Sequence, residues 1–166
     1  MNLLRNNTQI VGLGELHASK TPGTIIKTMA LGSCVGVIAV APKYRAVGLL
    51  HIVLPSSKID LERATVLPGY FADTGIMALL EEFKKLGVRS NGELIIKLAG
   101  GASVMEANKI FDIGKRNLLA TRKTLWKNHM AAIAEDVAGN YSRTVWVEVD
   151  TGRVFIESPG RGRWEL

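Results

Sequence analysis

The chain has 166 residues, of which 47% are hydrophobic and 22% are charged, and it contains one cysteine. This length suits one compact domain with a sizeable core, so we expect a single domain over residues 1–166. One cysteine excludes an intramolecular disulfide and a multi-cysteine zinc site. The formal net charge is +6, but no basic run is interleaved with aromatic residues, so nucleic-acid binding is not favoured.

The hydropathy pattern also argues against a membrane protein. No stretch reaches the roughly 18 apolar residues of a membrane-spanning helix. The first seven residues, MNLLRNN, lack the apolar core of a secretory signal. We therefore expect a cytoplasmic protein that is not inserted in a membrane.

The first half of the chain alternates short apolar runs with turns that contain glycine and proline. These runs predict strands at residues 8–18, 24–28, 35–40 and 46–54. The last two runs flank a turn led by Pro42 and are nearly continuous in apolar residues. They predict a β-hairpin whose strands are covered on both faces. A polar loop is expected to follow as far as Tyr70.

The second half mixes helices and strands. A helix is expected over residues 72–86, because apolar residues recur there at three- and four-residue spacing, at Ile76, Leu79, Leu80 and Phe83. A buried strand is expected at 94–98, a short helix at 103–110, and a longer helix at 117–130 with Leu118, Leu125 and Trp126 facing inward. The chain closes with a hairpin of strands 144–149 and 154–157 and a tail at 160–163 that we expect to be mobile. The order of elements predicts an α+β fold.

The first hairpin places the cysteine near a histidine. If its turn is centred between Pro42 and Lys43, the numbers of paired residues sum to 85, and Cys34 lies opposite His51. Their Cβ atoms would then be about 4.5–5.5 Å apart. A shifted turn centre would place His51 opposite Val35 instead.

A thiol beside an imidazole forms a nucleophile and base pair. A neighbouring imidazolium lowers the pKa of a cysteine, and a third group must hold the histidine in one tautomer. Gly32 would let the backbone approach a substrate, and backbone N–H groups near Cys34 would stabilise an oxyanion. The structural alternative is a small buried cysteine and a core histidine, which are more common than a catalytic pair.

Other candidate sites are weaker. Residues 100–103, Gly-Gly-Ala-Ser, follow a strand as phosphate-binding loops do, but they lack the Walker lysine and favour a tight turn. Asp112, Lys115 and Arg116 fit either a polar site or a solvated helix start. His17 and His129 have no partner at metal-ligand spacing, and the three tryptophans are interpreted as packing residues. No metal and no cofactor is expected.

The segment Thr28–Val35, TMALGSCV, is followed by His51 and by Leu54-Pro55. This arrangement resembles the CheD family of chemoreceptor glutamine deamidases. The resemblance continues at 71–73 (FAD), 97–102 (KLAGGA), 113–117 (IGKRN) and 151–154 (TGRV). The loop at 139–143 departs from the family's glycine-rich pattern at Asn140 and Ser142.

The resemblance implies a layered α/β sandwich of mixed β-sheets flanked by helices, similar to the catalytic domain of cytotoxic necrotizing factor toxins. It also implies a catalytic triad in which Cys34 is the nucleophile and His51 the base. Thr28 would orient the histidine through its hydroxyl or its backbone carbonyl. Gly32 and Ser33 are the expected substrate-binding and oxyanion positions.

The implied reaction is deamidation of glutamine to glutamate on cytoplasmic helices of methyl-accepting chemotaxis receptors, through a cysteine thioester. A CheC-type phosphatase is the second partner that the resemblance implies. Two alternatives stay open from the sequence. The first alternative is a non-catalytic module that docks on receptors or on that phosphatase, and the second is a thiol amidohydrolase with another substrate.

Overall fold

The computed structural model describes residues 7–104 and 112–166. The described residues form ten strands: β1 (Asn7–Ile10), β2 (Leu16–Ser19), β3 (Thr24–Leu31), β4 (Val35–Ala41), β5 (Ala46–Ile52), β6 (Ile95–Gly100), β7 (Ala132–Val137), β8 (Arg143–Glu148), β9 (Val154–Ser158) and β10 (Gly162–Glu165). They also form three α-helices: α1 (Leu61–Val66), α2 (Ala72–Lys85) and α3 (Ile113–Lys127). None of the described helices is long and apolar enough to cross a membrane. Apart from its first two residues, the helix predicted at 103–110 lies outside the described residues.

The strands form two mixed sheets of five strands each. Sheet A has the order β1-β3-β8-β9-β10, and sheet B has the order β2-β5-β4-β6-β7. Each sheet contains one parallel pair, β1 with β3 and β6 with β7. One apolar cluster fills the space between the sheets, and a second joins sheet B to α2 and α3. The layers are therefore sheet A, sheet B and helices, which confirms the predicted α+β class with mixed sheets.

The hairpin β4–β5 lies at the centre of sheet B, and all of its strand residues are buried. Ile38 and Val40 pack against sheet A, whereas Val35 and Val37 pack beneath the helices. This two-sided burial confirms the interpretation of its nearly continuous apolar runs.

Helix α2 confirms the predicted apolar stripe, because Ile76, Leu79, Leu80 and Phe83 are all buried. Helix α3 begins four residues earlier than predicted. The Asp112 carboxylate accepts a hydrogen bond from the Lys115 N–H at 3.1 Å and caps the helix. The prediction that Trp126 faces inward is wrong, since its side chain is 64% exposed.

Several short elements differ from the sequence predictions. The expected strand at 8–18 is two strands, β1 and β2, and the expected polar loop before Tyr70 contains α1. Strand β7 was not predicted because it lies at a sheet edge and carries Glu135 and Asp136. The tail at 160–163 is not a free end: residues 162–165 form β10 and pair with β9.

Candidate active site

The candidate triad residues lie where the two sheets face each other. Thr28 lies on β3 in sheet A, on the same face as the buried Ile26. His51 lies on β5 in sheet B, on the same face as the buried Leu49. Both side chains therefore point into the space between the sheets, which explains why residues so far apart in sequence meet.

Thr28 and His51 form a buried hydrogen-bonded pair. The Thr28 hydroxyl oxygen is 2.7 Å from His51 Nδ1, and it also lies 2.7 Å from the Val11 carbonyl oxygen. The carbonyl can only accept, so the single hydroxyl proton goes to Val11, and His51 Nδ1–H donates to the hydroxyl oxygen. This chain of bonds fixes the histidine tautomer and leaves the Nε2 lone pair free. It also shows that the Thr28 hydroxyl, rather than its carbonyl, orients the ring.

His51 has the properties of a neutral base. Burial lowers its pKa from the ordinary value near 6.5 to about 4, because desolvation disfavours the imidazolium. The ring is therefore uncharged at neutral pH. Its buried Nε2 has no hydrogen-bond partner among the described residues. A buried acceptor without a partner is unusual in a protein core, and this nitrogen is chemically able to accept a proton.

The predicted register of the hairpin is wrong by two residues. His51 pairs with Gly36, and the numbers of paired residues sum to 87. The cause is the turn, which has four residues because a 3₁₀ turn at Pro42–Tyr44 is followed by Arg45 with φ 52°. Because side chains alternate with a period of two, a shift of two keeps Cys34 on the His51 face, at a diagonal position.

Cys34 is partly buried and packs at the edge of the cluster between the sheets. Burial raises the pKa of its thiol. Hydrogen bonding to its own backbone N–H lowers that pKa by a smaller amount. Within the described residues the thiol and His51 Nε2 do not form a hydrogen bond. These findings contradict the expectation that an imidazolium depresses the thiol pKa: both groups are neutral at rest.

The bend that carries Cys34 is held by its carbonyl groups. The Gly32 carbonyl accepts from the Ala102 N–H at 2.8 Å, and the Cys34 carbonyl accepts from the Gly101 N–H at 2.7 Å. Between them, the Ser33 carbonyl accepts from the Asn117 side-chain amide on α3 at 3.0 Å. Three consecutive peptide groups are thus fixed by the segment after β6 and by α3.

Glycines permit this close packing. Gly100 has φ +99°, and a Cβ there would lie 2.2 Å from the Cys34 carbonyl oxygen. A Cβ on Gly101 would lie 2.4 Å from Leu118, and one on Gly114 would lie 2.5 Å from the Ala102 carbonyl. The Gly-Gly sequence therefore supports the nucleophile bend from the end of β6.

A cavity of about 360 Å³ adjoins the bend and includes Gly32 and Ser33 in its lining. Cys34 and His51 are not among the described residues that line it, so the substrate-binding role of Gly32 and Ser33 stays a prediction. The Gly32 N–H donates to the Ala30 carbonyl at 3.0 Å, so it is not available to an oxyanion. Within the described residues, the Ser33 and Cys34 N–H groups donate to no backbone carbonyl and remain available in the bend.

The loop that departs from the family pattern borders the same cavity through Ser142. Its position is fixed by Arg143, which is 1% exposed and lies 2.7 Å from the Asp136 carboxylate. The Gly139 carbonyl accepts from the Ser103 N–H at 2.8 Å. The loop is therefore tied to both sheets, and Asn140 lies on its exposed side.

The weaker candidates form no second site in the described part of the chain. Asp112 serves as a helix cap, which supports the interpretation of a helix start. The described residues contain no group of three or more His, Cys, Asp or Glu side chains placed to bind a metal.

Sequence reasoning assigned no role to Asn117. Its side-chain amide donates to the Ser33 carbonyl at 3.0 Å and to the Val53 carbonyl at 2.9 Å. It thereby links the bend before β4 to the segment after β5. The only sequence signal was its place in the IGKRN motif, which suggests no partner by itself.

Comparisons of the sequence with a family model and with curated relatives indicate the same family. Residues 53–158 match the family described as "CheD chemotactic sensory transduction". The chain is 49% identical over 158 residues to the "Probable chemoreceptor glutamine deamidase CheD" of Syntrophotalea carbinolica, covering 95% of this chain and 98% of that protein. It is 42% identical over 157 residues to "Probable chemoreceptor glutamine deamidase CheD 1" of Syntrophus aciditrophicus, with 95% and 98% covered.

The "Chemoreceptor glutamine deamidase CheD" of Thermotoga maritima is 37% identical over 154 residues, with 93% of this chain and 94% of that protein covered. The family match begins downstream of Cys34 and His51, whereas the matches to these relatives cover nearly all of the chain. The two kinds of match agree, and the chain belongs to the CheD family.

Proposed function

We propose that this protein converts glutamine side chains of chemotaxis receptors to glutamate, with Cys34 as the nucleophile. The observation that carries the proposal is the bond chain from His51 Nδ1 through Thr28 to the Val11 carbonyl. It supplies a neutral base with a free Nε2 on the face of the sheet that carries the thiol. The relatives' names, which include chemoreceptor glutamine deamidase, support receptors as the substrate.

The first half of the reaction forms a thioester. As the Cys34 sulfur attacks the side-chain amide carbon, its proton passes to His51 Nε2. The amide oxygen becomes an oxyanion, which the backbone N–H groups of Ser33 and Cys34 stabilise. The carbon–nitrogen bond then breaks as His51 Nε2 returns the proton to the leaving nitrogen. Ammonia departs, and the glutamyl group stays on sulfur.

The second half releases glutamate. His51 Nε2 takes a proton from a water molecule, whose oxygen attacks the thioester carbon. The carbon–sulfur bond breaks, sulfur regains a proton from His51, and the carboxyl product leaves. The low pKa of His51 suits this role, because the ring is neutral before each attack and gives up its proton readily afterwards.

Recognition of the receptor rests on charge in this proposal. The chain carries a formal net charge of +6, which favours association with acidic receptor helices. We place the protein in the cytoplasm, as one domain over residues 1–166, with a CheC-type phosphatase as a second partner. Likeness to the catalytic domain of cytotoxic necrotizing factor stays a prediction.

Ammonia release tests the proposal. The protein is incubated with receptor cytoplasmic fragments that contain glutamine, and in parallel with free glutamine and small primary amides. Release from the fragments alone supports receptor deamidation. Release from small amides at an equal rate would instead indicate a thiol amidohydrolase with another substrate.

A docking module is the second candidate. It is favoured by the raised thiol pKa and by the lack of a hydrogen bond between Cys34 and His51 in the described residues. Hydrogen bonds of this kind often tighten only when substrate binds, so the resting geometry is also compatible with catalysis. Tight fragment binding without any ammonia release would favour docking over catalysis.

A further inference from the structure

Asn117 is a polar residue at a place where a helix normally buries apolar ones. It lies in the first half of α3, is 0% exposed, and is one of the buried residues of that helix, which also include Leu118 and Leu125. The orientation of its amide is determined by its neighbours. Both groups in contact with it are carbonyls, which only accept, so the NH₂ group must face the Ser33 and Val53 oxygens.

The amide oxygen has no partner among the described residues. A buried carbonyl without a partner costs free energy, and an apolar side chain would avoid that cost. The residue therefore breaks the local rule for a stable core. Such exceptions are concentrated at functional sites, where a fixed geometry matters more than stability.

The Ser33 carbonyl is what Asn117 controls. The described peptide bonds are all trans, so the C=O of Ser33 and the N–H of Cys34 point in opposite directions. With the carbonyl held against α3, the Cys34 N–H must point away from the helix. Because this N–H and the sulfur belong to the same residue, a carbonyl group that the sulfur attacks can bring its oxygen close to the N–H.

We infer that Asn117 is a positioning residue that orients the Ser33–Cys34 peptide, so that the Cys34 N–H serves as an oxyanion donor. This inference rests on the proposed thiol chemistry of Cys34. Asn117 touches neither the substrate nor the thiol in this scheme. By binding Val53 as well, it also sets the spacing between the nucleophile bend and the strand that carries His51.

Two reactions of the same thiol separate this role from a general structural one. Alkylation by iodoacetamide displaces iodide and forms no oxyanion. Acylation by p-nitrophenyl acetate passes through a tetrahedral oxyanion and releases nitrophenolate. Both are measured on Cys34 by subtracting the rate of Cys34→Ala, and neither needs a receptor.

In Asn117→Ala and in the isosteric Asn117→Asp we expect acylation to fall about 10²-fold, because removal of one oxyanion donor costs that much or more. Alkylation should stay within a few-fold of wild type. Thr121→Val is the matched control. Thr121 is also 0% exposed on α3, and its hydroxyl has no partner among the described residues. Both rates should be unchanged in that variant.

Acylation that is unchanged in both Asn117 variants would overturn the inference. So would a parallel fall of acylation and alkylation, which would mean that Asn117 only maintains the fold. Failure of wild type to release ammonia from receptor fragments would contradict the proposed function alone, because the acylation assay is independent of the receptor.

A measurement on the wild-type protein covers the case in which the variants do not fold. A small aldehyde such as acetaldehyde adds to Cys34 and forms a thiohemiacetal, whose oxygen occupies the oxyanion position. In a ¹⁵N-labelled sample the Cys34 N–H resonance should move downfield on addition of the aldehyde. A Cys34 resonance that stays in place while the adduct forms would overturn the inference.

Discussion

Replacing Thr28 by valine removes the hydroxyl and keeps the shape of the side chain. Two buried groups then lose their partners, the Val11 carbonyl and His51 Nδ1–H. Each buried group left unsatisfied costs about 1–3 kcal/mol, so the free energy of unfolding should fall by about 2–6 kcal/mol. A domain has about 5–15 kcal/mol in total, so the loss is a large fraction of the stability, and turnover must be measured under conditions where the variant is folded.

The fall in kcat should be larger than the loss of folded protein alone would cause. Without the hydroxyl, nothing fixes the Nδ1 proton, and the ring is free to populate the other tautomer. A general base contributes about 10²–10⁴-fold to rate, so we expect kcat for ammonia release to fall about 10²-fold in Thr28→Val. Thr28→Ser is the control, because it keeps the hydroxyl and should stay within a few-fold of wild type.

The assays are urea unfolding and ammonia release from a receptor fragment, both at pH 7 and at a temperature where each variant is folded. Equal kcat values for Thr28→Val and Thr28→Ser would refute the claim that the hydroxyl orients His51. An unchanged free energy of unfolding in Thr28→Val would show that the two hydrogen bonds are not formed in solution.

Three further predictions follow from the site and the charge. Because the pKa of His51 is about 4 in the folded chain and near 6.5 when unfolded, the folded state binds fewer protons between these values. The free energy of unfolding, measured by urea titration, should therefore decrease by about 3 kcal/mol as pH falls from about 6.5 to 4. The acid limb of kcat/KM should lie near pH 4. Gly100→Ala should destabilise the protein by more than about 1 kcal/mol and reduce turnover, because φ is +99° and the new Cβ would lie 2.2 Å from the Cys34 carbonyl. Binding of acidic receptor fragments should weaken as salt is raised, because the +6 chain is screened.

Each of these has a matched control. An acid limb near pH 6.5 would contradict a buried neutral His51, and His51→Gln should abolish the extra acid lability. A Cβ on Gly92 would lie 3.6 Å from the Ser90 hydroxyl oxygen, so Gly92→Ala should leave the free energy of unfolding nearly unchanged. An equal decrease in both glycine variants would contradict the role of Gly100. Salt-insensitive binding would contradict electrostatic association.

The local elements near the site could be predicted from sequence because their signals are short-range. Apolar runs on either side of Pro42 specified the β4–β5 hairpin, and the three- and four-residue spacing specified α2. The register could not be predicted, because it depends on the number of residues in the turn. Arg45 adopts φ 52°, and nothing in its side chain requires that conformation.

No pattern within a short stretch of the sequence predicts the long-range contacts of the site. Thr28 was assigned from the family resemblance, while its bond to His51 depends on how two sheets pack. Asn117 meets Ser33 only because α3 approaches the end of β6, and Gly101 and Gly114 permit that approach. Edge strands β7 and β10 were missed for a related reason: pairing with a neighbour, rather than an apolar pattern, makes them strands.

Peptide mass spectrometry shows whether Cys34 converts receptor glutamines to glutamate. Receptor cytoplasmic fragments are incubated with wild type and with Cys34→Ala, and each glutamine-containing peptide is examined. We expect the wild type to convert specific glutamines to glutamate and the variant to convert none. Conversion by Cys34→Ala at the wild-type rate, or no conversion by wild type, would contradict this expectation.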